Sequence, residues 1–157
     1  MASLDLGWKN GGLGKALSNL FAYPFVLDGV QCGSMEGFLQ SLKQEGLEEQ
    51  EIMAALHGFT AYKIGQLGND WKEKQLLYWR GKAFERTSRE YHHLLDRAYD
   101  ACFDQNEAFR EALLQTGVDS LTHYIGHHDP SQSTLTEWEY IYSIYRLRAR
   151  AQQAIIT

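Results

Sequence analysis

Three side chains with complementary chemistry recur along one short stretch: Glu36, Gln40 and Lys43. Each residue of an α-helix advances about 100° around the axis. Spacings of i, i+4 and i+7 therefore set a carboxylate, an amide and an amine in one narrow stripe. Met35, Phe38, Leu39 and Leu42 fall in the adjoining arc and form an apolar face. Lining a cleft, the stripe offers a proton-transfer group, a hydrogen-bonding group and a nucleophilic amine in a row. Left in water, it is a solvated face whose Gln40–Lys43 contact is worth a few tenths of a kcal/mol at most.

The local sequence supplies the elements that would position this stripe. Phe25-Val26-Leu27, Asp28-Gly29 and Val30-Gln31-Cys32 read as two strands joined by a dipeptide suited to a type I′ turn. Gly33 breaks the second strand and Ser34 caps the helix, with Glu36 in its first turn, where the helix dipole favours an anion. That helix is predicted to run to about Lys43 or Gln44, before Gly46. A second is predicted over Glu48–His57, ended by Gly58, and a third after Thr60. Leu76–Trp79, Arg80-Gly81 and Ala83–Arg86 predict another hairpin.

Downstream, Thr87-Ser88-Arg89-Glu90 has the form of a capping box ahead of Tyr91, Leu94, Leu95, Ala98 and Cys102 at helical spacing. Asn106 opens a further helix that Gly117 closes. Ser120–Ile125 reads as extended. Thr136-Glu137-Trp138-Glu139 is a second capping box and starts a last helix, with Trp138, Ile141, Tyr142 and Tyr145 on one face and Arg146, Arg148 and Arg150 at its negative end. The glycine-rich opening, Trp8 to Lys15, reads as loop. It is not a phosphate loop, because Lys9 and Ala16 stand where that pattern needs Gly and Ser or Thr. The fold class expected is α+β: a mostly helical single domain over 1–157 with short β-hairpins and a core of about 17–150.

Composition narrows the function. A net charge of −5 argues against a general nucleic-acid coat. No stretch approaches the ~20 apolar residues of a membrane span, and the N-terminus lacks the basic start and apolar run of a secretory signal. With only Cys32 and Cys102, reduced and buried thiols and a cytoplasmic location are the expectation. His123, His127, His128 and Asp129 have metal-ligand residue types, but they fall on a strand and loop without flanking cysteines, so neither a bound metal nor a cofactor is expected. The aromatic content, 13%, is high enough that some rings can serve a base or sugar rather than the core.

Taken in order, several segments resemble the NADAR family. They are Leu17-Ser18-Asn19-Leu20-Phe21, Pro24-Phe25-Val26-Leu27-Asp28-Gly29 and Ser34 to Lys43. The family pattern is F-S-N-F, P-F-x-x-D-G and S-x-E-H-Y-F-Q-A-x-K. Ala61-Tyr62-Lys63-Ile64-Gly65 is similar to its A-x-x-x-G, Phe103-Asp104-Gln105-Asn106 to F-x-Q-N, and Leu113-Leu114-Gln115-Thr116-Gly117 to L-L-x-T-G. The likeness runs from about Leu17 to Arg148. It implies an N-glycosidase-like fold and an enzyme that hydrolyses the bond between ribose C1′ and a base nitrogen. The substrate would be a phosphoribosylamino-pyrimidine of riboflavin biosynthesis or ADP-ribose on guanine, free or in nucleic acid.

On this reading Glu36 donates a proton or stabilises charge at C1′, and Lys43 captures an opened ribose as a Schiff base or binds phosphate. Asp129 is the nearest match to a second carboxylate. Ser18, Asn19 and Gln40 would bond to the substrate, with Trp71 or Trp79 stacking on the base. For Asn19 the alternative is an Asx turn entering the hairpin. Lys63, Lys72, Lys74, Arg80 and Lys82 are available for a local basic groove. Two departures stand out. Gly37 replaces the histidine after the glutamate, and no Trp-Gly follows Asp129. A chain that kept the pocket but lost those elements would be a non-catalytic module binding ADP-ribose or a related nucleotide.

Overall fold

The computed structural model describes residues 2–156. In chain order they form β1 (Ser3–Asp5), α1 (Gly12–Ala16), β2 (Phe25–Leu27), β3 (Val30–Cys32), α2 (Met35–Ser41), α3 (Leu47–Ala54) and α4 (Gly58–Gly65). There follow α5 (Trp71–Lys74), β4 (Leu76–Trp79), β5 (Lys82–Glu85), α6 (Arg89–Gln105), α7 (Glu107–Gln115), β6 (Ser120–Thr122) and α8 (Glu137–Ile156). The architecture is a mostly helical α+β domain, as the sequence predicts.

Both hairpins turn on dipeptides in the left-handed region: Asp28 (φ 51°) with Gly29 (φ 79°), and Arg80 (φ 51°) with Gly81 (φ 86°). Positive φ at both central residues defines a type I′ turn, whose twist matches that of the strands it joins. β2 pairs antiparallel with β3, and β4 with β5. The outer edge of β2 is closed by a side chain: the Gln105 amide donates to Val26 O (2.9 Å) and accepts from Val26 N (2.8 Å). Asn106 donates to Pro24 O (2.9 Å). The Phe103–Asn106 motif is thus architectural, covering a strand edge that would otherwise be free to pair with another chain.

α2 lies at the centre of the domain. The Ser34 hydroxyl accepts from Gly37 N (3.0 Å) as its N-cap, and Phe38 and Leu39 are buried. The helix ends at Ser41, short of the predicted Lys43, because its last turn tightens: Leu42 N and Lys43 N bond three residues back, to Leu39 O and Gln40 O. The buried Gln50 amide then ties this end to β4, donating to Ser41 O (3.0 Å) and Tyr78 O (2.7 Å).

Other departures from expectation come through contacts distant in sequence, and the extended stretch predicted over Ser120–Ile125 is a strand only to Thr122. The opening residues are not simply loop: β1 pairs in parallel with β6, and α1 follows. α3 stops at Ala54 rather than His57, its terminal carbonyls turned toward β3 and α2, where Gly33 N donates to Ala54 O (2.8 Å). Gly58 opens α4 instead of closing α3; a Cβ there would overlap the Leu20 backbone. On α8 the buried stripe is Tyr140, Ile141, Ile144, Leu147 and Ala151, while Trp138 (73% exposed), Tyr142 and Tyr145 face solvent. α8 also outruns its predicted end, so its arginines sit in the interior of the helix. Arg146 and Arg150 pair with Asp100 of α6 (2.7 and 2.9 Å), and buried Arg148 donates to Asp119 O (2.8 Å).

Candidate functional site

A cavity of about 650 Å³ opens between α2, α4, α5, the 18–20 segment and the loop that precedes α8. Glu36, Gln40 and Lys43 form its α2 face, so the stripe expected from spacing lines a hollow. Gln40 Nε2 donates to Glu36 Oε1 (2.7 Å), and Lys43 Nζ donates to Gly65 O (2.9 Å). The Glu36 backbone is held as well, its N–H donating to Asn19 O (3.0 Å).

The electrostatics follow from the enclosure. Burial raises the Glu36 carboxyl above its usual range, although the Gln40 hydrogen bond and the Lys43 charge pull the other way. Burial likewise lowers the Lys43 amine; the Glu36 charge opposes this and the Lys72 charge adds to it. Both groups are pushed toward their neutral forms, as desolvation of a charged pair requires. In sequence the helix dipole and burial compete at Glu36, and the structure decides for burial.

Ser18 and Asn19 enter the cavity from the segment before β2. The Ser18 hydroxyl accepts from Leu20 N (3.1 Å), so it is Ser18, not Asn19, that makes the local turn. Tyr99 donates its phenol to Asn19 Oδ1 (2.8 Å), leaving the Asn19 NH₂ as the group available to a ligand. Trp71 lines the opposite wall at 6% exposure, and its buried indole Nε1 has no hydrogen-bond partner among the described residues.

The far wall is residues 132–136, held from behind by a buried cation. Arg86 grips Glu139 through both terminal nitrogens (3.0 and 2.6 Å) and donates from Nε to Ser133 O (2.8 Å). Tyr91 donates to Thr134 O (2.6 Å). Thr136 N and Glu139 N exchange bonds with each other's side chains, which is the capping box expected at the start of α8.

Several lining residues are not among the substrate-binding candidates of the sequence. Trp8 meets Phe59 edge to face at 4.8 Å, and with Tyr62 they edge the cavity. His123, its Nδ1 within 2.7 Å of Leu6 O, packs edge-on against Tyr140. Tyr62 lies in the Ala61 to Gly65 segment and His123 among the metal-ligand residue types, but nothing in the sequence joins them to the Glu36 stripe.

Other candidates fall elsewhere. Trp79 does not line the cavity: it packs edge-on against Phe38 (5.2 Å) in the core and donates from Nε1 to Asp28 Oδ2 (2.8 Å). Asp129 is not there either. Its carboxylate is exposed and accepts from Ser131 N (2.9 Å) and Oγ (2.8 Å), capping a 3₁₀ turn over Pro130–Gln132. Of the five residues offered for a basic groove, only Lys72 lines the cavity; Lys63, Lys74, Arg80 and Lys82 are exposed outside it. His123 and His127 line it, whereas His128 is turned out and pairs with Glu137 (3.1 Å). Gly37 has a packing reason, since a Cβ there would lie 2.7 Å from Ala54 O and 2.5 Å from Leu56 O. A side chain at this position would meet the end of α3, not a substrate.

Among the lining residues Glu36 is the single carboxylate, set against Lys9, Lys43 and Lys72 in a protein of net charge −5. The cavity therefore favours an anionic ligand, and its aromatic edge suits a flat ring.

The family model described as bacteriophage protein GP30.3 matches residues 12–149. A protein of Enterobacteria phage T4, described as an uncharacterized 17.1 kDa protein in the Gp30–rIII intergenic region, is 37% identical over 134 residues, covering 85% of this chain and 88% of its own. The NMR structure of Escherichia coli YbiA superposes with a TM-score of 0.64 at 16% identity, over 99% of this chain and 88% of that one, a likeness of fold. This chain belongs to the bacteriophage GP30.3 family, and so to the NADAR family.

Proposed function

We propose that this protein is an N-glycosidase that hydrolyses the bond between ribose C1′ and a base nitrogen. NADAR membership fits a glycosidase-type role. One observation carries the finer reading: an acid and an amine, both pushed toward neutrality, share one wall of a half-open, otherwise cationic cavity.

The leaving base nitrogen needs a proton, and a carboxyl raised by burial retains one to give. As the C1′–nitrogen bond breaks, its electron pair goes to the base, which takes the Glu36 proton. The neutral Lys43 amine then bonds to C1′; the C1′–O4′ bond breaks with its electron pair going to the ring oxygen, which takes the proton released by the amine, and the ring opens to a Schiff base. Water adds to that carbon, the amine departs, and the net reaction is hydrolysis. The hydrogen bond to Gly65 O directs the amine, and the Asn19 NH₂ is available to a ribose hydroxyl.

The cationic lining and the Trp8–Phe59–Tyr62 edge support ADP-ribose on a guanine over a phosphoribosyl pyrimidine. ADP-ribose brings a second ring and a second phosphate to occupy them.

Incubation with ADP-ribosylated guanine and with the riboflavin intermediates tests the proposal. Release of ADP-ribose is expected, with Glu36→Gln slowing it roughly 10²–10⁴-fold. Borohydride should trap a Lys43 adduct during turnover. Undiminished rate in Glu36→Gln refutes the role of the acid, and an untrappable Lys43 under active turnover refutes the covalent step. ADP-ribose that raises Tm without any turnover makes the protein a binding module instead.

A further inference from the structure

Gly65, the last residue of α4, is joined to the acid and to the amine by separate routes. Its carbonyl accepts from Lys43 Nζ (2.9 Å). Its missing side chain makes room for Gln40: a Cβ at position 65 would overlap the Gln40 amide, with the aliphatic Cγ 2.7 Å away. Gln40 in turn donates to Glu36 Oε1 (2.7 Å).

The space, not the backbone, is what demands glycine here. Gly65 is helical and is not among the positive-φ residues, so its conformation suits any amino acid. Gln40 is 9% exposed, and its Oε1 is buried without a partner among the described residues. A buried orphan acceptor in a folded protein asks for an explanation. The explanation offered by the geometry is that seating the amide against Gly65 keeps its one useful donor on the Glu36 carboxylate.

We infer that Gly65 is a positioning residue that sets the acid and the amine at their working separation, holding Lys43 through its carbonyl and Glu36 through the Gln40 amide that only a glycine admits. This rests on the proposed roles of Glu36 and Lys43 and adds to them the residue that registers one against the other. It also gives the Ala61-x-x-x-Gly65 segment a role, since Ala61, fully buried one turn earlier, keeps the same helix close to α2.

The test compares Gly65→Ala, Gln40→Ala and the double variant. Glu36 is titrated by NMR on ¹³C-glutamate-labelled protein, alongside thermal melting and steady-state kinetics. The titratable groups that share its field are the Lys43 amine and the Tyr99 phenol, which all three variants retain. A donor on a carboxylate favours its ionised form, so losing it moves the Glu36 midpoint upward. Gly65→Ala and Gln40→Ala should raise that midpoint alike, and the double variant should match Gln40→Ala. The double variant should also melt above Gly65→Ala, because truncating Gln40 leaves room for the new methyl. kcat in Gly65→Ala should fall roughly 10²-fold with KM little changed, the effect of misplacing reacting groups by about 1 Å.

An unmoved Glu36 midpoint in Gly65→Ala, additive midpoint shifts, or a double variant no more stable than Gly65→Ala each overturns the inference. Titration and melting need no substrate. The expected shifts without turnover of any substrate would uphold the positioning and refute the glycosidase reading.

Discussion

Arg86→Met attacks the far wall of the cavity from behind. Arg86 is 1% exposed, and the substitution removes two hydrogen bonds to Glu139 and one to Ser133 O. Glu139 keeps Thr136 N (2.8 Å) and His92 (2.7 Å) but loses its only buried cation. Removing one partner of a buried ion pair destabilises by about 3–5 kcal/mol, mostly because the other charge is left uncompensated. For a chain of this size 1 kcal/mol moves Tm by roughly 2–4 °C. The expected fall is therefore roughly 6–20 °C at pH 7, by calorimetry or circular dichroism. Glu139→Gln in the same background should recover part of it, since the stranded charge is gone. Burial works to raise the Glu139 carboxyl, yet the Arg86 and Thr136 hydrogen bonds outweigh it and hold the group below the usual range. A depressed carboxyl contributes stability above the unfolded value of about 4.3 and loses it as pH falls through the folded value. The Tm gap between native protein and Arg86→Met should thus narrow in acid. A fall below roughly 3 °C at pH 7, or strict additivity with Glu139→Gln, refutes the buried-pair account.

Glu36→Gln should raise Tm at neutral pH, because a carboxyl raised by burial favours folding below its unfolded value and loses that contribution as pH rises through the folded one. The gain should vanish near pH 4, and an equal difference at pH 4 and pH 8 would contradict it. Trp71 and Trp79 should separate by assay. Trp79→Phe breaks a hydrogen bond to the Asp28 carboxylate, worth about 1.5–3 kcal/mol, and leaves ADP-ribose affinity unchanged. Trp71→Phe has no indole bond to lose and should weaken that affinity with a smaller change in Tm, both read by titration calorimetry and melting. Asp129→Ala should leave the hydrolytic rate unchanged, its exposed carboxylate serving only the turn at Ser131; a substantial loss in the rate assay would return it to the site.

Where a structural feature is local, the chain announces it. The Asp28-Gly29 and Arg80-Gly81 turns, the Ser34 cap and the Thr136–Glu139 box depend on dihedral preferences and hydrogen bonds spanning a few residues, and all are formed; at α6 the cap falls one residue later than the Thr87–Glu90 box predicts, with Ser88 accepting from Tyr91 N. The Glu36–Gln40–Lys43 stripe is legible for the same reason, since helical periodicity alone aligns it. Misplaced features depend on approaches between distant segments. Nothing near Ser3 announces a strand, because its partner is Ser120. Nothing around Gly58 tells a helix end from a helix start, because Leu20 decides it. Trp71 and Trp79 look alike as residues, yet one meets the cavity and the other the core. By itself the sequence determined which groups could do chemistry and that three of them share a helix face. Only the tertiary structure decided that this face lines a cavity, that Asp129 stands outside it, and that Glu36 and Lys43 are driven toward neutrality. Desolvation is a property of everything surrounding a group, and most of what surrounds these two lies far from them along the chain.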